Sequence, residues 1–389
     1  MPAQLLPEHA PLVIAGGGPV GSALAVALRN SAAGPVLLEA RPVASGGDDA
    51  RFLALSAGSR LILERLGVWV RIEPCATPIL SIEVSQQGGF GRTELDASQV
   101  ELPALGYVVR YRDLDGMLAG AARESTLAVN GATVTDVKSL RGFAAVSCDL
   151  NGEARLISTQ LAVLADGGRA LAGGLFAPLI RDYRQWAVVA WVRSRGGHRH
   201  RATERFTPTG PAALLPAEDG FSVVLTCAEE AAKALCAASD SDFIGHLEKV
   251  FGERATGLFG CSPRSRFPLA LRYAESVTTE HVVLIGNAAQ TLHPVAGQGF
   301  NLGLRDAWTL ARFVHATPIG ELGSAAMLAR YREQRARDRT VSILLTDSLV
   351  RLFASDRVWL QSARGIGLMM LDFSGVPKRF FMRRMMFGA

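Results

Sequence analysis

Cysteine pairs, an export signal and long apolar runs are all missing from this 389-residue chain. Its five cysteines show neither a C-x-x-C pair nor Cys/His ligand spacing, so the sequence supports no zinc site, no other metal and no disulfide framework. The N-terminus lacks a basic region followed by an apolar stretch, and the uncharged run 11–28 contains four glycines, unlike a membrane span. No repeat of about 20 to 50 residues is present, which argues against a solenoid. We therefore expect a reduced, cytoplasmic protein that is neither exported nor membrane-spanning.

Acidic residues are scarce at the C-terminal end. From residue 351 onward the chain holds seven basic and two acidic residues, which accounts for the whole formal net charge of +5. The same tail contains five of the eight methionines and five of the 17 phenylalanines. Basic and apolar residues interleaved in this way suit a helix lying on an anionic membrane surface. A helix packed on its own domain, or docked on a partner subunit, explains the pattern equally well. Nucleic-acid binding by the tail is a third and less favoured interpretation, because no recognised nucleic-acid-binding module accompanies the basic charge.

Glycine is abundant, at 40 residues, and it separates elements that follow a regular order. The first 40 residues read as a strand, a glycine turn, a helix and a second strand, which form one βαβ unit. Strand-like segments dominate 183–272, with one helical insert at 241–251, and the chain is largely helical after residue 299. This order predicts an α/β fold with a Rossmann-like nucleotide-binding domain, an inserted sheet domain and a helical C-terminal tail. The predicted bounds are 1–75, 100–180 and 270–345 for the nucleotide-binding domain, 76–99 and 181–269 for the sheet domain, and 346–389 for the tail.

The glycine turn near the N-terminus fits the dinucleotide-binding fingerprint. Gly16, Gly18 and Gly21 give the G-x-G-x-x-G spacing between a strand and a helix, and Glu39 ends the next strand 21 positions after Gly18. Glycines allow the turn and the close approach of a pyrophosphate, while the carboxylate suits a ribose hydroxyl. A plain turn with an exposed glutamate is the alternative. The fingerprint predicts an ADP moiety and leaves NAD and FAD open.

Two further glycine stretches follow apolar strands. One ends LAVLADGG at residue 168, and the other reads GNAAQTLHPVAGQGFN over residues 286–301. Together with the fingerprint they resemble the three motifs of single-component FAD-dependent aromatic hydroxylases, the group that includes p-hydroxybenzoate hydroxylase. The late stretch is similar to the branch of 2-polyprenyl-6-methoxyphenol hydroxylases in ubiquinone biosynthesis, and the likeness runs nearly end to end. Asn287 and Gln290 depart from the motif of the wider aromatic hydroxylase family, since they replace its usual aspartate and histidine.

The resemblance implies which residues meet the flavin in such a two-domain flavoprotein. Backbone at the late glycines approaches the ring, and a helix starting near Phe300 points its positive end at the pyrimidine side. The resemblance implies that His293 and Pro294 position the ring, and the alternative is that they form only a rigid turn. It implies that Asp166 contacts the cofactor region, and the alternative is a plain strand-end turn. No catalytic acid or base is assigned. Besides the fingerprint residues, the implied cofactor-binding set is Arg51, Asp166, Gly167, Gly286, Asn287, Pro294, Gly297, Gln298, Gly299, Phe300 and Asn301.

The reaction that the resemblance implies is hydroxylation of an electron-rich phenol by O2 through a flavin C4a-hydroperoxide. The expected substrate is a polyprenylphenol, and the expected partners of the tail are a membrane surface or a ubiquinone-biosynthesis complex. No second fingerprint is present, so NAD(P)H is expected to dock transiently as the electron donor. A hydroxylase of a soluble phenol and a flavin-binding scaffold subunit remain open alternatives.

Overall fold

The computed structural model describes residues 6–42, 51–168, 174–353 and 358–388. Its helices in chain order are α1 Pro19–Ala27, α2 Ala57–Arg65, α3 Trp69–Ile72, α4 Tyr111–Ser125, α5 Glu229–Ala237, α6 Asp240–Phe251, α7 Gln298–His315, α8 Ala325–Phe353, α9 Val358–Phe373 and α10 Gly375–Phe387. Its strands are β1 His9–Ala15, β2 Val36–Glu39, β3 Phe52–Ser56, β4 Thr77–Ile79, β5 Ser81–Gln86, β6 Arg92–Asp96, β7 Gly106–Arg110, β8 Leu127–Asn130, β9 Ala132–Leu140, β10 Phe143–Leu150, β11 Glu153–Leu164, β12 Pro178–Ser194, β13 Arg201–Thr207, β14 Gly210–Ala217, β15 Gly220–Cys227, β16 Leu258–Cys261, β17 Ser265–Ala274, β18 Thr278–Thr279, β19 Val282–Leu284 and β20 Gln290–Thr291.

A largely parallel sheet forms the nucleotide-binding part. Its strand order is β18-β19-β11-β1-β2-β8, with β10 and β9 added beside β11 as an antiparallel extension. β1 runs parallel to both β11 and β2, and β19 runs parallel to β11. The central strands are continuous apolar runs because both of their faces are buried, and Leu12, Val13 and Ile14 are completely buried. Strands from the two ends of the chain therefore share one core.

A second, mostly antiparallel sheet follows the order β20-β17-β12-β15-β14-β13-β5-β6. Strands β5 and β6 form a hairpin and pair antiparallel. Helices α5 and α6 cover one face, where Phe243, Leu247 and Phe251 pack against Val188 and Val223. The other face carries the alternate residues of β5, β6 and β13 and remains available for a site.

The C-terminal helices pack on this second sheet and on α2. Helix α9 contacts β6 and β5, and α10 contacts α2. The carboxylate of Asp372 accepts hydrogen bonds from Thr93 and from Lys378, which ties the two helices to β6. Within the residues that the structure describes, no helix combines the length and the apolar character needed to cross a membrane.

The predicted fold class and the helical tail are both confirmed, whereas the exact domain bounds stay predictions. Helix α7 starts at Gln298, two residues before the predicted start at Phe300, because Gly297 takes a left-handed conformation with φ of 59° and ends the preceding turn.

Candidate flavin site and its cavity

The first glycine turn lies where the central strands of the parallel sheet end. Gly16 has φ of 106°, and a Cβ there would come within 2.7 Å of the Ala165 backbone. Its amide donates to the carbonyl of Leu38 at 2.8 Å, so the turn is fixed against both neighbouring strands. A Cβ on Gly21 would lie 1.9 Å from the Gly16 oxygen, which explains why this position also lacks a side chain. At Gly18 a Cβ would meet no protein atom, so open space faces the start of α1.

Glu39 ends β2 beside this turn. Its Oε2 accepts from the Gly17 amide at 2.7 Å, and its Oε1 accepts from the amide and side chain of Arg41. Burial raises the pKa of Glu39, but the hydrogen bonds from Arg41 and Gly17 and the charge of Arg41 outweigh burial and hold the pKa below its ordinary value. The carboxylate is therefore ionised and fixed, as an acceptor for ribose hydroxyls requires.

Arg41 and Asp115 belong to this cluster although the sequence analysis did not single them out. The Arg41 Nη1 donates to Asp115 Oδ2 at 2.7 Å, so the guanidinium bridges two carboxylates. Hydrogen bonds to Asp115 and Glu39 raise the pKa of Arg41. The local sequence sign of this cluster is an arginine two positions after Glu39. Asp115 lies 74 residues further along the chain, so no local pattern connects it with Arg41.

The second motif forms a tight turn at the end of β11. Asp166 Oδ1 accepts from the Gly168 amide at 2.8 Å, and Arg272 donates to the Gly168 carbonyl. A Cβ on Gly167 would meet open space. This geometry matches a strand-end turn beside the first motif, and the proposed contact with the cofactor stays a prediction.

The late loop packs against the first helix. Gly286 has φ of 60°, and a Cβ there would lie 3.1 Å from the Val20 side chain in α1. A Cβ on Gly303 would lie 2.9 Å from the Gly286 Cα, so α7 approaches the loop very closely. Asn287 is exposed at this turn. The fold thus brings the first and third motifs together from opposite ends of the chain.

Gln290 has a structural role beneath the late loop. It is buried, and its Nε2 donates to Asp306 Oδ2 at 2.7 Å while its Oε1 accepts from Arg339. Asp306 also accepts from the Gly286 amide at 3.3 Å and from the Arg335 guanidinium at 2.8 Å. We call Asp306, Arg335, Asp338, Arg305 and Gln290 the buried ionic cluster. It ties the late loop to α7 and α8.

Asn301 locks the loop to β3 and α2. Its Oδ1 accepts from the Ser56 amide at 2.8 Å and from the Ser59 hydroxyl at 2.7 Å. Its Nδ2 donates to the carbonyls of Ala54 and Gly297. An amide has two donors and a carbonyl oxygen with two lone pairs, so all its capacity is used inside the protein. The structure places Asn301 as a positioning residue for the glycine loop.

The neighbouring loop residues face different surroundings. Gln298 is buried and donates from Nε2 to the Met385 carbonyl in α10 at 3.3 Å. Phe300 packs against the main core, whereas Pro294 is exposed. A Cβ on Gly299 would meet no protein atom, which leaves open space at the first turn of α7.

His293 is buried beneath this loop. Its Nδ1 accepts from the Val295 amide at 3.1 Å, which puts the proton of the neutral ring on Nε2. That Nε2 is buried and has no hydrogen-bond partner within the described residues. The ring meets Tyr183 edge to face at 5.5 Å, and burial lowers the pKa of His293 to about 4.

Acid is expected to destabilise the protein through His293. Because the pKa of His293 in the folded protein lies below the ordinary value of 6.5, its contribution to stability is complete above pH 6.5. This contribution is lost as the pH falls toward about 4. The shift corresponds to about 3 kcal/mol of unfolding free energy. Urea unfolding of H293F between these pH values should lack this acid-dependent loss, whereas H9F, at an exposed histidine, should retain it. Parallel pH profiles for H293F and the wild type would contradict the assignment.

Arg51 lies at the edge of a described segment, before β3. Its guanidinium stacks over the rings of Tyr111 and Phe267, at 5.2 and 4.9 Å from their centroids. These contacts fix the orientation of the guanidinium. The two aspartates that precede Arg51 in the sequence, at positions 48 and 49, lie outside the described residues.

A cavity of about 460 Å³ adjoins the late loop. Gln298 and Asn301 line it on the loop side, and Glu204 and Arg364 also face it. Most of the remaining wall is apolar and comes from the second sheet and from the tail. These apolar residues include Ile82, Val84, Leu95 and Phe206 of the second sheet, Leu105 just before β7, and Leu368, Leu371, Met382 and Met386 of the tail. Such a cavity suits an aromatic ring that carries an apolar chain.

The described residues fit FAD. The starts of α1 and α7 both face open space, at Gly18 and Gly299, and helix N-termini favour phosphate and anionic ring systems. The ionised Glu39 lies beside the first of these helices. The unpartnered Nε2 of His293 adds a buried donor near the second.

Comparisons with known proteins agree with this arrangement. The model of the family described as FAD binding domain matches residues 9–341. The chain is 32% identical to ubiquinone hydroxylase UbiL of Rhodospirillum rubrum, over 97% of this chain and 89% of that protein. It is 31% identical to 3-demethoxyubiquinol 3-hydroxylase of Escherichia coli, over 95% and 96% of the two chains. The solved structure of p-nitrophenol 4-monooxygenase PnpA from Pseudomonas putida has the same fold, with a TM-score of 0.81 at 16% identity over 98% and 99% of the two chains.

Proposed function

Since the chain belongs to the FAD binding domain family, in the branch that contains ubiquinone hydroxylases, we propose that it hydroxylates the aromatic ring of a polyprenylphenol intermediate of ubiquinone biosynthesis. The protein is an FAD-dependent monooxygenase, and NAD(P)H is the electron donor typical of its family. The observation that carries the choice of substrate is the apolar cavity beside the late loop.

The residues of the chain have separate tasks in this reaction. Glu39 and the start of α1 would hold the ADP part of FAD, and the start of α7 would face the ring. Bound FAD supplies the redox chemistry that transfers one oxygen atom of O2 to the phenol, while the other leaves as water with two electrons from NAD(P)H. The apolar wall of the cavity orients the phenol and excludes water from the reacting atoms.

Turnover of a model substrate tests the proposal. The FAD-loaded protein is mixed with NAD(P)H, O2 and a short-chain 2-polyprenylphenol, and the product is followed by mass spectrometry. We expect the phenol to gain one oxygen atom. V84F, which narrows the cavity, should lower turnover while the flavin absorbance stays normal, and V70F, at an exposed valine, is the matched control. Peroxide with an unchanged phenol would reject this substrate, and efficient turnover of only small soluble phenols would favour the soluble-phenol alternative.

The same substrate class suggests where the enzyme works. A polyprenylphenol is held in the bilayer by its chain, so we propose a peripheral location on the cytoplasmic face of the inner membrane. The tail is the part of the chain that supports such contact through its charge and apolar content.

A further inference from the structure

Helices α9 and α10 contact each other and both expose large apolar side chains. On α9, Ile366, Met369, Met370 and Phe373 follow the spacing of a single helix face, and all four side chains are exposed. On α10, Val376 and Phe380 lie one helical turn apart and are also exposed; Val376 is 72% exposed, and Phe373 at the end of α9 is 84% exposed. We call these six residues the outer face. Seven of the 18 large hydrophobic side chains exposed in the described part of the chain lie within 366–387, so the apolar exposure is concentrated here.

The opposite sides of the same helices line the substrate cavity. Leu368 and Leu371 of α9, and Met382 and Met386 of α10, face the interior. Both helices are therefore apolar on two sides, a pattern usually found where a helix is covered on both. One side is covered by the protein, and only the thickness of a helix, about 10 Å, separates the outer face from the cavity.

Charge on α10 indicates what covers the outer face. Arg379 and Arg383 are exposed and alternate with Val376 and Phe380 at helical spacing. The acidic residue of this segment, Asp372, is engaged by Lys378 and Thr93 and does not offset them. Exposed arginines interleaved with large apolar side chains match the headgroup boundary of an anionic bilayer, where arginines meet phosphates and apolar groups enter the acyl region.

We propose that the outer face docks on an anionic phospholipid bilayer and that the prenyl chain of the substrate passes from the bilayer into the cavity alongside α9 and α10. The inference rests on the proposed function for the identity of the substrate, and on the structure for the surface. Docking here brings the cavity to the membrane, so a long apolar chain never has to cross water.

Vesicle sedimentation tests the surface directly. The FAD-loaded protein is mixed with vesicles of phosphatidylcholine and phosphatidylglycerol, or of phosphatidylcholine alone, and the bound fraction is measured. The double variant F373S/F380S should partition at least about tenfold more weakly, since each phenylalanine contributes buried apolar area. R379E/R383E should lose about as much, and only with the anionic vesicles. The matched control V70S/I180S alters two exposed apolar side chains elsewhere and should bind like the wild type.

Two further readouts separate the possible failures. Flavin content and turnover of a short-chain phenol without vesicles should be unchanged in F373S/F380S, because these side chains point away from the cavity. Turnover of a long-chain phenol presented in vesicles should fall with the bound fraction. If the wild type does not sediment with vesicles, or V70S/I180S loses binding as much as F373S/F380S, the docking surface is wrong even when hydroxylation is observed. If vesicle binding follows the variants as expected but no phenol is hydroxylated, the surface stands and the proposed function fails.

Discussion

Replacing Arg335 by methionine is expected to lower the free energy of unfolding by about 3–5 kcal/mol, since it removes the guanidinium that two buried carboxylates share. Arg335 is buried and donates to Asp306 at 2.8 Å and to Asp338 at 2.7 Å. Burial raises the pKa of Asp338, but the charges of Arg305 and Arg335 hold it below its ordinary value, so losing Arg335 removes part of what keeps this carboxylate charged. Urea unfolding monitored by circular dichroism measures the loss.

The same variant should also retain FAD poorly, because Asp306 holds the Gly286 amide and thereby the late loop. R332M is the matched control, since Arg332 is exposed on the same helix. A stability of R335M equal to that of R332M would show that the ionic cluster is dispensable. Normal flavin content in a destabilised R335M would break the link between the cluster and the loop.

Glu39→Ala is expected to weaken FAD binding about 10- to 100-fold, the effect of losing hydrogen bonds to a charged acceptor. The carboxylate lies beside the Gly17 amide and is held in place by Arg41. Flavin fluorescence released on dilution measures retention.

Asp115→Asn separates direct from indirect effects in that experiment. It weakens the other anchor of Arg41 and leaves the carboxylate of Glu39 in place. A small effect of D115N beside a large effect of E39A supports direct contact with the ribose. Equal losses in the two variants would assign the role to Arg41, and unchanged retention in E39A would refute the fingerprint assignment.

The motifs could be identified from the sequence because their backbone conformations require glycine at particular positions. Gly16 has a positive φ and lies against the Ala165 backbone, and Gly286 has a positive φ and lies against the Val20 side chain. Glycine at these two positions of the sequence therefore indicates a specific turn. Strand and helix periodicity around them predicted the α/β fold, and the paired strands confirm it.

Features that depend on distant partners were not readable in this way. Arg41 meets Asp115 across 74 residues, and Gln290 meets Arg339 across 49. The side-chain hydrogen bonds of Asn301 join residues far apart in the sequence, and its contact with the cofactor stays a prediction. Composition showed that the tail was apolar and basic, but only tertiary packing shows that one of its sides completes the cavity.

The parallel sheet also has a consequence for synthesis of the protein. β1 pairs with β11, and β11 pairs with β19, so the sheet that carries the first glycine turn is complete only after residue 284 has left the ribosome. Pairings this distant in sequence form slowly and leave apolar edges exposed meanwhile. Helices α9 and α10 close the cavity last, because they are the last elements of the chain to be made. A nascent chain therefore gains its nucleotide site before its substrate site. A stalled chain whose emerged part ends after α8, near residue 353, should take up flavin but lack the cavity wall that α9 and α10 supply.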